Sequence, residues 1–210
     1  MKINSKKELD FVIQADRMMN RGYFKPSLRD TIRDFFFPDY IMQYLYAMRK
    51  VSYYKANANR GNRLKYIYYQ KRYRALGLKL GFSIGCDTLG YGVVIPHYGT
   101  IVIGSSNRIG NYAVLHTSTC ISDRGVQIGH GLYLATGVKI TRKIKLGDNI
   151  SIGANSLVNK SYEGNNALIG GMPAEYIKNS DAWYHRDGVA YSERVNRVEK
   201  LKFEADIVYI

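Results

Sequence analysis

Residues Ile128 to Val158 read "IGHGLYLATGVKITRKIKLGDNISIGANSLV", and an aliphatic side chain returns at every sixth place: Ile128, Leu134, Ile140, Leu146, Ile152 and Val158. Working back from Ile128, the series continues through Ile121, Leu115, Ile109 and Ile103 to Ile95 and Leu89, and ahead it returns at Ile169. The step is broken three times: eight residues across "PHYGTIVI", seven across "SDRGVQI" and eleven across "NKSYEGNNALI". Two places before each aliphatic stands a second apolar or small residue, from Ala113 and Thr119 through Val126, Leu132 and Val138 to Ile144, Ile150 and Ser156. A helix keeps one apolar face by spacings of three and four, so a strict six cannot hold one. Alternation inside each hexad suits a strand of two or three residues with one side inward. Gly90, Gly104, Gly110, Gly129, Gly147 and Gly153 fall between hexads and predict corners, where a missing Cβ permits turns that strain other residues. Three short strands per coil, with coils about 4.8 Å apart, close into a triangular prism.

Ahead of the prism the chain reads helical. "SKKELDFVIQADRMMNRG" has Ser5 as N-cap, Glu8 three residues on and Gly22 past its end. "SLRDTIRDFFF" opens at capping Ser27 and stops at Pro38. Two longer helices follow in "PDYIMQYLYAMRKVSYYKAN" and "NRLKYIYYQKRYRALGLKLG", the second ending near Gly81. After Lys178 the repeat is gone, and "DAWYHRDGVAYSERVNRVEKLKFEADIVYI" starts polar and continues as one helix with a short apolar end. The expected fold is mainly β: a basic helical domain over 1–80, a hexapeptide-repeat prism over 81–178 and a tail over 179–210.

A length of 210 residues suits one main domain with an appended segment and a sizeable core. The net charge of +14 is uneven: residues 1–80 hold 18 of the 31 Lys and Arg but only 6 acids, and no acid occurs between Tyr40 and Cys86. Such a field favours an anionic partner: a phosphorylated cofactor, an acidic glycan, a lipid surface or nucleic acid. The opening "MKINSKKELDF" is polar and charged, unlike a secretory signal, and no apolar run approaches the roughly 20 residues that span a bilayer. A cytoplasmic protein is expected, with membrane association on the cytoplasmic face as an addition. Cys86 and Cys120 are too few for a disulfide framework and read as two small buried thiols.

Three stretches, "GYGVVIPHYGTIVIG", "SIGANSLVNKS" and "IGGMPAEYIK", follow in this order behind a helical domain. They resemble the serine acetyltransferase branch of the hexapeptide acyltransferases, left-handed parallel β-helix enzymes that use acetyl-CoA. The resemblance is close over about residues 80–178 and extends to the helical part only in general architecture. It implies that His97 is the catalytic histidine, the base for the acceptor hydroxyl. Chemistry agrees, because an alcohol is a poor nucleophile until a neutral imidazole lies within hydrogen-bond reach, and histidine titrates near pH 6.5. His116 is expected on the same prism face one coil on, pointing outward, where it orients the acceptor, supports His97, meets a neighbouring subunit's thioester or simply faces solvent. His130 and His185 match no motif position and read as surface residues.

The same resemblance implies a pantetheine groove between two prisms, lined by small residues in successive coils at Ala135, Gly137, Gly153 and Ala154. Lys160 and Lys178 would meet the CoA phosphates as point charges. Tyr98 and Tyr112 are the expected aromatic faces for an acceptor, with Asp123 and Arg124 as polar partners. Outward catalytic groups are enclosed only beside a second prism, so a homotrimer is expected, with a hexamer through the helical fronts as the larger alternative. No metal is required.

The chain also departs from the family. Serine acetyltransferases carry an aspartate about one coil before the catalytic histidine, which orients its imidazole; the matching position here is Phe82, with Asp87 nearby but off register. The family's loop ending in a second histidine shrinks to "SDRGVQI", which keeps Asp123 and Arg124 without a histidine. These departures favour an acetyl-CoA-dependent O-acetyltransferase acting on a hydroxyl of a sugar or polysaccharide precursor. The alternative is serine O-acetylation for cysteine synthesis, for which the terminal Ile210 is similar to the family's docking tail. A carbonic-anhydrase-like prism needs three metal histidines, two of them closely spaced, and His97, His116 and His130 stand 19 and 14 residues apart. A non-enzymatic scaffold would not need His97 in a perturbed hexad. The front "RKVSYYKANANRGNRLKYIYYQKRYRALGLK" interleaves basic and aromatic residues, yet no nucleic-acid motif accompanies it. Peripheral contact with a membrane fits that pattern better, beside the plainer reading of packed tyrosines and solvated charges.

Overall fold

In the computed structural model, which describes residues 1–186 and 188–207, the repeat coils into a three-sided stack of short strands. The first face holds β1 (Phe82–Ile84), β2 (Ile101–Ile103), β5 (Thr119–Ile121), β8 (Lys139–Ile140) and β11 (Leu157–Val158). The second holds β3 (Arg108–Ile109), β6 (Gln127–Ile128) and β9 (Lys145–Leu146), with Leu89 bridged to Ile109 above them. The third holds β4 (Val114–Leu115), β7 (Tyr133–Leu134), β10 (Ile150–Ile152) and β12 (Ala167–Gly171), with Val94 bridged to Val114. Neighbouring strands on all three faces run parallel, until β13 (Ala174–Asn179) turns back antiparallel on β12 and closes the third sheet. The whole is a left-handed parallel β-helix of about 5 turns.

Every aliphatic of the six-step series, from Leu89 to Ile169, is buried inside the prism, and so are the companions two places earlier. Each such side chain contributes about 1.5–3 kcal/mol on burial, which explains why the period alone holds the coil in register. The prism starts one strand before the series, because Phe82 and Ile84 also point inward. The corner glycines have a different reason from the one the sequence suggests. None of Gly90, Gly104, Gly110, Gly129 and Gly147 has a positive φ. A Cβ there would instead strike the next coil, at 2.4 Å from Asp123 Cα for Gly104 and 2.6 Å from Gly129 C for Gly110. Close stacking, rather than torsional freedom, excludes a side chain. Gly153 alone of the six has room, its nearest neighbour being 3.7 Å away.

Four helices precede the prism. α1 (Lys6–Arg21) is capped by Ser5, whose hydroxyl accepts from the Glu8 N–H, and ends at Gly22. α2 (Leu28–Phe36) opens with a capping box of Ser27 and Asp30. α3 (Tyr40–Ala56) and α4 (Arg60–Leu80) are capped by Asp39 and Asn59, and α4 stops at left-handed Gly81. These two close the end of the prism, where the Tyr44 ring meets Phe82 edge-on at 5.1 Å. A second core lies outside the third face, where Phe11, Val12, Met18 and Met19 of α1 pack on Tyr91, Val94, Tyr112 and Val114. The tail folds back onto this core through α5 (Trp183–Arg186) and α6 (Val189–Glu204), whose Val195 and Val198 are buried. Ile210 lies outside the described residues. Cys86 and Cys120 are free thiols, half-buried rather than enclosed. Among the described residues no helix is long and apolar enough to cross a membrane.

One buried ion pair ties the layers together. Arg49 on α3 is fully buried and meets Asp16 on α1 through Nε at 2.8 Å and Nη2 at 3.2 Å. It also donates to the carbonyls of Leu89 and Gly90 in the first coil, at 2.9 and 2.5 Å.

Candidate active site

The chain passes from the third face to the first at residues 96–100, 116–118, 135–137 and 153–155, so these corners stack along one edge. That edge brings together His97 and Tyr98, then His116, then Ala135 and Gly137, then Gly153 and Ala154, in successive coils. The six-step repeat thus places both histidines and all four small positions beside one another, although they span more than fifty residues of sequence. The corner at 96–100 is the longest of the four, and its bulge is pinned from behind. Gly99 N–H donates to the Leu80 carbonyl at the end of α4, 2.9 Å away, and Ile101 N–H donates to the Gly81 carbonyl at 3.1 Å. Gly99 itself has φ +142 and lies on Thr117, where a Cβ would stand 3.0 Å from the methyl carbon.

His97 is exposed, Tyr98 beside it is 77% exposed, and among the described residues the His97 imidazole makes no hydrogen bond. His116 is half-buried, and its Nε2 lies 3.0 Å from the Tyr133 hydroxyl. Leu115 N–H donates to the Val94 carbonyl, so Pro96 rather than His97 stands over His116. The Tyr133 ring is covered by the Arg186 guanidinium at 5.1 Å, and Arg186 donates to Ser151 Oγ at 3.0 Å and Ser180 Oγ at 3.3 Å. The two histidines therefore differ in kind: His116 is tied into the packing between prism and tail, while His97 is offered outward on a braced loop. Only the second arrangement lets an incoming hydroxyl reach a ring nitrogen directly. Tyr133 and Arg186 escape sequence reasoning. Tyr133 carries a weak signal as an outward residue in the next coil, in register with Val114, whereas Arg186 lies outside the repeat and carries none.

Several expected site residues lie elsewhere. Tyr112 is not an aromatic face for an acceptor: it is buried in the second core, its hydroxyl donates to Glu199 of α6, and its carbonyl accepts from Trp183 Nε1 at 2.8 Å. Burial first, then the Glu199 carboxylate, push its phenol far above the usual range. Asp123 and Arg124 sit on the next edge, between the first and second faces. Asp123 accepts from Ser106 N–H at 2.7 Å and from the Ser106 hydroxyl, which holds its carboxyl below the ordinary range. Lys160 shares that edge and pairs with Glu175 at 3.3 Å, and Lys178 lies exposed on β13 opposite Leu168. Neither lysine is on the histidine edge of its own chain. Phe82 points into the prism and cannot reach the imidazole. Asp87 is held by Ser52 Oγ at 2.7 Å and Lys55 Nζ at 2.8 Å, which commits it to α3. His130 and His185 are exposed.

The later corners of the histidine edge carry small residues. Gly137, with φ +82, has no space for a Cβ, which would stand 2.0 Å from Asn155 Oδ1, and the Lys139 ammonium lies on this corner, donating to the Ser118 carbonyl and, at 3.3 Å, to the Gly137 carbonyl. The half-exposed Ala135 and Gly153 continue the same edge. Among the described residues, no group of three His, Cys, Asp or Glu side chains could share a metal ion.

No family model matches the chain. The serine acetyltransferase of Staphylococcus aureus (strain Mu50) is 28% identical over 127 residues, covering 53% of this chain and 59% of that protein. The chain thus spans about three fifths of the curated relative it matches. Among solved structures, the serine acetyltransferase of Neisseria gonorrhoeae aligns with a TM-score of 0.63 and 20% identity, over 84% of this chain and 68% of that one. A serine acetyltransferase in complex with CoA aligns with a TM-score of 0.55 and 21% identity, over 80% of this chain and 68% of that one. By sequence and by fold the chain is a hexapeptide-repeat protein similar to the serine acetyltransferase-like branch.

Proposed function

We propose that the protein is an acetyl-CoA-dependent O-acetyltransferase of the serine acetyltransferase type, with His97 as general base. The observation that carries this reading is the braced, outward corner of His97 above a strip of small residues on one edge. CoA would supply the acetyl group as a thioester, with Ala135, Gly137, Gly153 and Ala154 against its pantetheine arm. The His97 imidazole takes the proton of the acceptor hydroxyl as the oxygen attacks the thioester carbon, the carbon–sulfur bond breaks, and the proton passes to the departing thiolate. Tyr98, exposed beside His97, flanks the acceptor. His116 acts behind them, its ring fixed by Tyr133.

The active form in this reading is a homotrimer. The helices and tail cover the third face, but the first face is bare: its outward Val102, Cys120 and Leu157 are half-buried, and the exposed Lys139 stands between the last two. It lies between the histidine edge and the edge bearing Asp123, Arg124 and Lys160. Packing three copies on this face sets the histidine edge of one against the second edge of the next, which supplies the polar groups that one chain keeps apart from His97. Lys160 would then reach the CoA phosphates from the neighbouring copy.

For the acceptor, the matched relatives support L-serine ahead of a sugar. A sugar hydroxyl is the second reading, favoured by one observation: Phe82 is locked in the core and Arg124 is followed by Gly125, so neither an orienting carboxylate nor a second histidine stands at the family positions. Thiol release from acetyl-CoA, measured with L-serine and with a panel of oligosaccharides, decides between them. Release with millimolar serine and formation of O-acetylserine is the expected result; release with saccharides alone would install the second reading. Release with neither, or turnover unchanged in His97→Ala, would remove the proposal.

A further inference from the structure

The packed side of α4 runs through Tyr73, Leu76 and Leu80 against α3 and the end of the prism. Its opposite side exposes Leu64 (77%), Ile67 (53%), Tyr68 (56%) and Leu78 (87%). At 100° per residue these four fall within one stripe along the helix. Aligned exposed apolar groups of this size differ from the single ones scattered over any surface. Cations border the stripe on both sides, Arg63 and Arg74 on one flank and Lys65 on the other, where Arg72 and Lys79 also stand but turn to α3, Arg72 donating to Gln43 Oε1 at 2.9 Å and Lys79 lying 3.4 Å over the Tyr40 ring. Lys71 stands within it, with a stem long enough to lift its ammonium to the level of the flanks. The helix has no acid. α2 also exposes apolar residues, Leu28, Ile32 and Phe35, but Asp30 and Asp34 share that helix, so its charge selects no anionic surface.

An apolar midline between two rows of cations is the arrangement of a helix lying in a bilayer interface. The 21 residues of α4 give it a length of about 30 Å, enough to lie flat across several lipid headgroups. A second copy of this chain is a poor occupant, because it would bring the same acid-free helix, or a molecule of net charge +14, against these cations. We infer that α4 docks the protein on an anionic bilayer, with the stripe from Leu64 to Leu78 at headgroup depth and the flanking cations on lipid phosphates. This rests on α4 alone and is independent of the acetyl-transfer reading.

The test is co-sedimentation of the full chain with vesicles of phosphatidylcholine, with and without 30% phosphatidylglycerol. Binding should need the anionic lipid and weaken as salt is added. Leu64→Ser/Leu78→Ser should lower binding tenfold or more by the loss of buried apolar surface, at about tenfold per fully buried leucine. Arg63→Gln/Lys65→Gln should lower it about 30-fold at low salt, and less at high salt. Phe203→Ser, on exposed α6, should leave it unchanged. The variants change exposed residues only, and circular dichroism checks that they fold; Leu78→Trp adds a second readout, a blue shift of its emission on anionic vesicles. Equal binding to both vesicle types, wild-type binding in Leu64→Ser/Leu78→Ser, or no shift for Leu78→Trp would overturn the inference. So would light scattering in which the leucine variant falls to a smaller assembly while wild type ignores vesicles, since the occupant would then be a second copy.

Discussion

Replacing Arg49 with Met should be among the most damaging changes available outside the prism core. The guanidinium is fully buried and makes two contacts to Asp16, at 2.8 and 3.2 Å, and two to the carbonyls of Leu89 and Gly90. Without it, the Asp16 carboxylate stays buried with, among the described residues, only the Val93 N–H, 3.1 Å away, and both carbonyls lose a donor. Breaking a buried ion pair by removing one partner costs about 3–5 kcal/mol. At roughly 2–4 °C per kcal/mol for a chain of this size, the melting midpoint should fall by about 6–20 °C. Arg49→Met/Asp16→Leu removes the stranded charge as well and should be the more stable of the two, with a coupling of about 1–3 kcal/mol in the double-mutant cycle. Urea and thermal melts followed by far-ultraviolet dichroism measure both, at one fixed protein concentration because an oligomer's midpoint depends on it. A single variant within about 1 kcal/mol of wild type, or a double variant no better than the single, would refute the clamp between α1, α3 and the first coil.

His97→Ala should lower turnover about 10²–10⁴-fold while CoA binding persists, and His116→Ala should cost less; equal losses in initial-rate assays would reverse their ranking. Tyr112→Phe removes a hydroxyl bound to Glu199, so it should cost about 1.5–3 kcal/mol in a melt and leave the acceptor KM unchanged. Gly110→Ala should destabilise by about 1–3 kcal/mol through overpacking, because its Cβ would lie 2.6 Å from the backbone of the next coil. Burial raises the Asp87 carboxyl, but its bonds to Lys55 and Ser52 outweigh that and hold it below the ordinary 3.8. A depressed folded value stabilises above the unfolded one, so the gap between wild type and Asp87→Asn should be full at neutral pH and close as acid takes the carboxyl below 3.8. A gap that widens on acidification contradicts that account.

What the sequence determined by itself is whatever rests on chemistry between near neighbours in the chain. The six-step series and its companions two places earlier name the inward aliphatics from Leu89 to Ile169, because a coil can close only if each strand turns the same side in. Ser5, Ser27 and Gly81 mark helix ends because a cap satisfies backbone groups a few residues away. The stacking of His97, His116, Ala135 and Gly153 along one edge follows from the same period. The tertiary structure decided everything that depends on which distant group arrives at a position. Tyr112 is a core residue because Glu199 returns to it from 87 positions away, and Arg186 reaches Ser151 across 35. Asp123 is committed to Ser106 because the coils stack there, and the corner glycines are needed for the backbone that lies on them rather than for their own torsions. A period in sequence specifies what faces inward. It carries no record of the helices and tail that cover one outer face and leave another bare, and that choice of face sets which side chains are free to meet a substrate.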